Sequence, residues 1–110
     1  MKLAIVGSRN LSDIALDEYV TDEVSEIVSG GAVGVDRCAA AFARRREIIL
    51  TEFLPEYETY GRAAPIVRNK QIVDYADRIL VFWNGSSRGT KSVIEYAEKV
   101  GKPYRVVLAE

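Results

Sequence analysis

The sequence predicts an α/β fold in which one five-stranded parallel sheet, order 3-2-1-4-5, lies between layers of helix. Three observations carry that expectation. Short apolar runs rich in Val, Ile and Leu recur along the chain, amphipathic segments of three to four turns separate them, and the two patterns alternate without repeat, low-complexity segment or linker. Near-continuous apolar runs suit strands buried on both faces, and right-handed crossovers make a doubly wound order the most economical arrangement. At 110 residues, with 48% hydrophobic and 28% charged residues, the whole of 1–110 reads as one globular domain.

The elements follow in chain order. "KLAIVG" from Lys2 is the first strand, and Leu11 to Val20 the first expected helix. "SEIVSG" from Ser25 is the second strand, followed by a helix from Val35 to Arg46. "EIILTEFL" from Glu47 precedes a helix from Ala63 to Tyr75, and "RILVFW" from Arg78 precedes one from Thr90 to Val100. That last helix puts Val93, Ile94, Ala97 and Val100 on one stripe, with Glu95/Lys99 and Glu98/Lys102 as i,i+4 pairs elsewhere. Gly101 and Pro103 end it, and "YRVVL" from Tyr104 is the fifth strand.

Composition narrows the chemistry. The longest apolar runs are strand-length, so no membrane span is expected, and "MKLAIVGSRN" reads as a first strand rather than a leader. With a single cysteine, Cys38, no intramolecular disulfide is available, and the expected location is the cytoplasm. The absence of histidine excludes His-based acid/base work, Ser-His-Asp and Cys-His nucleophiles and the usual zinc sets, so no metal and no cofactor is expected. A net charge of -1, from 15 basic and 16 acidic residues, provides no global field for nucleic acid or an anionic membrane.

In a doubly wound sheet, ligands bind outside the carboxyl ends of the strands where the order reverses, here between the first and fourth strands. The loops there are "GSRN" at 7–10 and "NGSSRGT" at 84–90, with "GGAVGVD" at 30–36 after the neighbouring strand. Each carries glycine and each precedes an expected helix, whose free N–H groups and positive dipole end attract anions. Neither G-x-G-x-x-G nor the P-loop pattern is present, because Thr90 stands where the second P-loop glycine belongs. The expectation is a polyoxyanion site of another kind.

"GSR" after the first strand, "SGGAVGVD" after the second, "YGRAAPIVRNKQIVDYAD" before the fourth, and "SRGT" followed by "GKP" make the chain similar to the YspA-like branch of the SLOG superfamily. The resemblance covers nearly the whole chain. It implies a Rossmann-like fold, a nucleotide-derived ligand and homodimerisation, in a superfamily that includes lonely-guy phosphoribohydrolases and DNA-processing protein A. Carried over by position, it implies a pocket of Gly7, Ser8 and Arg9, of Gly30, Gly31, Gly34 and Asp36, of Arg68 and Asn69, and of Ser87, Gly89 and Thr90 as the phosphate cradle. Arg68 offers a planar bidentate fork, and Asp36 reads either as an acceptor for ribose hydroxyls or as a plain complement to a helix start. The hydrolases of the superfamily carry a glutamate three residues after the threonine. Here that position is Val93, and Glu95 is rotated roughly 200° away on the helix, so no catalytic residue is assigned.

Other conspicuous residues have plainer readings. Arg44 to Arg46 sit where cations complement a helix C-terminus, Cys38 lies among alanines as a core thiol, and Glu95 pairs with Lys99 on the surface. Trp83 either stacks on a base or packs at the sheet, and Tyr57 and Tyr60 either rim the pocket or cover the core. The expected function is binding or sensing of a nucleotide or phosphoribosyl-bearing ligand. The alternatives are N-glycosidic hydrolysis, with Asp36 in place of the missing glutamate, and single-stranded DNA binding, which the charge balance disfavours.

Overall fold

The computed structural model describes residues 1–109. Five strands, β1 (Lys2–Gly7), β2 (Glu26–Ser29), β3 (Ile49–Glu52), β4 (Arg78–Trp83) and β5 (Tyr104–Leu108), form one parallel sheet of order β3-β2-β1-β4-β5. The order is the one the alternation predicts. The central strands are buried on both faces because their residues alternate between two cores. Leu3, Ile5, Leu80 and Phe82 belong to one core, and Ala4, Val6, Ile79 and Val81 to the other. At the edges this breaks down: Ile49 of β3 and Leu108 of β5 are exposed.

Helix α1 (Val35–Arg45) packs on the first core through Val35, Ala39, Phe42 and Ala43. A four-residue turn of helix, α2 (Tyr57–Tyr60), and a 3-10 turn, Gly61–Ala63, lead into α3 (Ala64–Tyr75). With α4 (Arg88–Val100), α3 covers the second core through Ile72, Val73, Val93 and Ala97. Proline at the start of α3 and left-handed Gly101 after α4 mark the two helix boundaries as the chain's punctuation requires.

One element departs from expectation. The helix expected over Leu11 to Val20 is a largely irregular connection holding a single 3-10 turn, Leu16–Glu18. Leu11 and Leu16 are both buried in the first core, 3% and 1% exposed. Five residues apart on an α-helix they would diverge by roughly 140°, so a helix could bury only one of them. Asp13 at φ +55° breaks the run between them, and Asp is among the residues that adopt this conformation. The first loop therefore ends in no helix. Of the three glycine loops, only those entering α1 and α4 precede one.

Candidate functional site

A cavity of about 480 Å³ opens at the carboxyl ends of β1 and β4, at the reversal point of the sheet. Gly7, Ser8, Arg9 and Asn10 line it from the first loop, Ala32 and Asp36 from the entry to α1, and Asn84, Ser87, Gly89 and Thr90 from the entry to α4. Pro65, Arg68, Asn69 and Ile72 contribute one face of α3, because i, i+3, i+4 and i+7 share a side. Val6, Ile72 and Val93 give it an apolar strip.

Arg68 is the most deeply buried basic residue of the cavity lining, 9% exposed. Its Nη1 donates to the Gly30 carbonyl at 2.6 Å and its Nε to Asn69 Oδ1 at 3.0 Å. No partner among the described residues takes Nη2. No buried side-chain nitrogen or oxygen among the described residues lacks a partner, so Nη2 is not fully buried, and Arg68 is part of the cavity lining. Asp36, 7% exposed, accepts from the Ala32 N–H at 3.2 Å. Burial pushes its carboxyl above the usual range, while the Ala32 N–H and then the Arg68 charge pull it back. Among the described residues the two make no ion pair within 4.0 Å. The Gly30 backbone lies between them: a Cβ there would sit 2.6 Å from Arg68 Nη1 and 2.9 Å from Asp36 Oδ2.

The remaining glycines of this loop make room for the protein itself. Gly34, at φ +76°, faces the carbonyls of Arg9 and Ser8, at 2.5 and 2.7 Å from where its Cβ would be. Gly31, at φ +69°, faces Leu54. Gly30, Gly31 and Gly34 thus lie behind the cavity wall, whereas the other sequence-predicted site residues line it.

Side-chain bonds tie the two switch-point loops together. Ser8 Oγ, fully buried, accepts from the Asn84 N–H at 3.2 Å, and Asn84 Nδ2 donates to Asn10 Oδ1 at 3.0 Å. Asn84 Oδ1 accepts from the N–H groups of Ser86 and Ser87 at 2.9 and 2.8 Å, closing an Asx turn. Ser87 then caps α4, its Oγ accepting from the Thr90 N–H at 3.4 Å and lying 3.1 Å from Thr90 Oγ1. The first turn of α4 carries no acidic residue, whereas that of α1 carries Asp36. Asn10 and Asn84 were not among the predicted site residues. The Asn-Gly pair at 84–85 was the available signal, since Asn folds such turns with its own side chain.

Other candidates fall outside the cavity. Trp83 Nε1 donates to the Ser87 carbonyl at 3.0 Å, bracing the loop, and its ring packs on the second core. Tyr57 and Tyr60 are exposed, Glu95 is exposed, and Cys38 is half-buried against the first core. Arg46 and Arg45 pair with Asp17 at 2.6 and 3.6 Å. Among the described residues no cluster of three Cys, Asp or Glu side chains could hold a metal ion, and no helix is long and apolar enough to cross a membrane.

Fold and cavity together define a doubly wound α/β domain with a polar cleft at its topological switch point. Comparison with protein-family models and with curated proteins finds no match to this chain.

Proposed function

We propose that the protein binds a nucleotide or another phosphoribosyl-bearing small molecule in the switch-point cavity, as a sensor or binding module. The observation that carries this reading is Arg68, a buried cation of the cavity lining that makes no ion pair within 4.0 Å among the described residues and whose Nη2 has no protein partner there. A phosphate between that nitrogen and the uncompensated start of α4 would receive charge-assisted bonds from one side and backbone N–H groups from the other. Asp36 would accept the hydroxyls of the sugar. The YspA-like motifs support the same ligand class and, as part of the same proposal, a cytoplasmic homodimer.

One observation favours a second reading, hydrolysis of a nucleotide N-glycosidic bond. Asp36 is a buried carboxyl raised above its usual range, the direction that suits a proton donor. Against it stands Val93, apolar where the related hydrolases place a carboxylate.

A thermal-shift panel of nucleoside mono- and diphosphates, cyclic and sugar-linked nucleotides and ribose phosphates tests the binding reading. A true ligand at a hundred times its Kd stabilises by about 2.7 kcal/mol, roughly 10 °C or more in a domain of this size. No shift across the panel at millimolar concentration overturns it. Product analysis of the ligand that binds separates the two readings.

A further inference from the structure

On the face of the sheet that carries Leu3, Leu80 and Phe82, α1 packs over β1, β2 and β3, while the helix packed on β5, α4, lies on the opposite face. The β1–β2 connection supplies only its single 3-10 turn there. A second cavity, about 510 Å³, opens on this side at the amino ends of β1, β4 and β5, the far end of the sheet from the candidate site. Its floor is Leu3, Val24 and Leu80, each less than a tenth exposed.

Two arginines flank that floor. Alternation along β4 puts Arg78 on the same face as Leu80, two residues or about 6.6 Å away. On the neighbouring strands, Leu3 is in register with Arg78 and Arg105 with Leu80. Neither arginine has a carboxylate partner among the described residues. The Arg105 guanidinium is held 5.1 Å over the Tyr19 ring, which itself makes a T-shaped pair with Phe82 at 5.2 Å between centroids. Glu23 is the acidic side chain of the lining, exposed at the rim.

We propose that this cavity is a second binding site, for a small organic anion with an apolar body. The acid head lies between Arg78 and Arg105, and the body rests on Leu3, Val24 and Leu80. An apolar floor with a few convergent polar groups is the usual form of a small-molecule site, and a guanidinium stacked on a tyrosine is already oriented to meet a planar acid. The proposal does not depend on the switch-point site, with which this cavity shares no lining residue.

Anilinonaphthalene sulfonate, an aromatic body with one anionic head, is the probe. Fluorescence titration of the folded protein gives saturable binding, and amide proton–nitrogen spectra show shifts at Leu3, Tyr19, Leu80 and Arg105. Arg78→Gln and Arg105→Gln each raise the Kd about fivefold or more through loss of a charge-assisted bond. Both arginines are exposed, so the melting temperature stays within a few degrees; if either variant fails to fold, the other carries the test. Octanoate, an acid with an aliphatic body, displaces the dye. Failure to saturate at millimolar dye, shifts confined to the Arg68 and Thr90 loops, or folded variants with wild-type affinity each overturn the proposal.

Discussion

Arg68 and Gly30 form the tightest side-chain contact of the cavity wall, with Nη1 donating to the Gly30 carbonyl at 2.6 Å in space that any Cβ on residue 30 would invade. Gly30→Ala must push the guanidinium outward. Nε is engaged by Asn69, so the side chain does not move freely. The expected loss is about 1–2 kcal/mol in urea unfolding, with ligand-induced stabilisation abolished in the folded protein. Arg68→Lys keeps the charge without the fork and is expected to weaken binding more than it weakens the fold.

Gly31 and Gly34 should behave differently from each other. Gly34→Ala drives a methyl into the backbone carbonyls of Ser8 and Arg9 at positive φ, and backbone cannot swing aside. A loss of about 2–4 kcal/mol is expected in denaturant melts. Gly31→Ala, also at positive φ, meets only side chains, the exposed Leu54 and the Glu52 carboxylate, so about 1 kcal/mol is expected, with ligand-induced stabilisation intact.

Removal of the Ser8 hydroxyl isolates the tie between loops. Ser8→Ala leaves the Asn84 N–H without its acceptor and is expected to lower stability by about 1–2 kcal/mol. Faster amide exchange at Asn84 to Ser87 is the accompanying readout. Unchanged exchange would show that the Asx turn holds this loop unaided.

Asp36 and Glu26 predict opposite pH responses. The Asp36 carboxyl is raised by burial, so its contribution to stability is present below the unfolded value and is lost as pH climbs through the folded one. Glu26 is lowered, first by the Tyr75 hydroxyl bond at 2.6 Å and then by Thr51 at 2.8 Å. Its contribution is present above the unfolded value and is lost as pH falls through the folded one. Thermal melts between acid and neutral pH should therefore show Asp36→Asn gaining on wild type as pH rises, and Glu26→Gln converging with wild type as pH falls.

With Val93 apolar beside Thr90, purified protein is expected to release no free base from nucleoside monophosphates above background. Chromatographic product analysis checks this. Turnover that disappears in Asp36→Asn would promote the hydrolytic reading.

The parts of this fold visible in the sequence are those written in local pattern. β1 and β4 are unbroken apolar runs, α4 is a clean stripe ended by glycine, and the switch-point loops announce themselves by glycine. Leu11 to Val20 misled because Leu11, Ile14 and Leu16 look helical in composition, while a spacing of five and the left-handed Asp13 are decided by which residues the core takes. The glycines of "SGGAVGVD" mark a crowded place, but what crowds it is Arg68, Leu54 and the Ser8–Arg9 carbonyls, and these are distant in the chain. No local pattern could name them.

The unequal starts of α1 and α4 give the cleft a direction. At one end a carboxylate, Asp36, already meets the helix's positive pole, with Arg68 across the Gly30 backbone from it; at the other, Ser87 leaves that pole uncompensated. A guest with one charged end and one hydroxylated end can enter in only one sense, as a keyed plug enters its socket. Turned around, it would set an anion against Asp36 and leave the start of α4 to a neutral group. Two charged ends would satisfy neither orientation, so a singly phosphorylated sugar should be favoured over its bisphosphate, in reverse of what simple charge counting would rank.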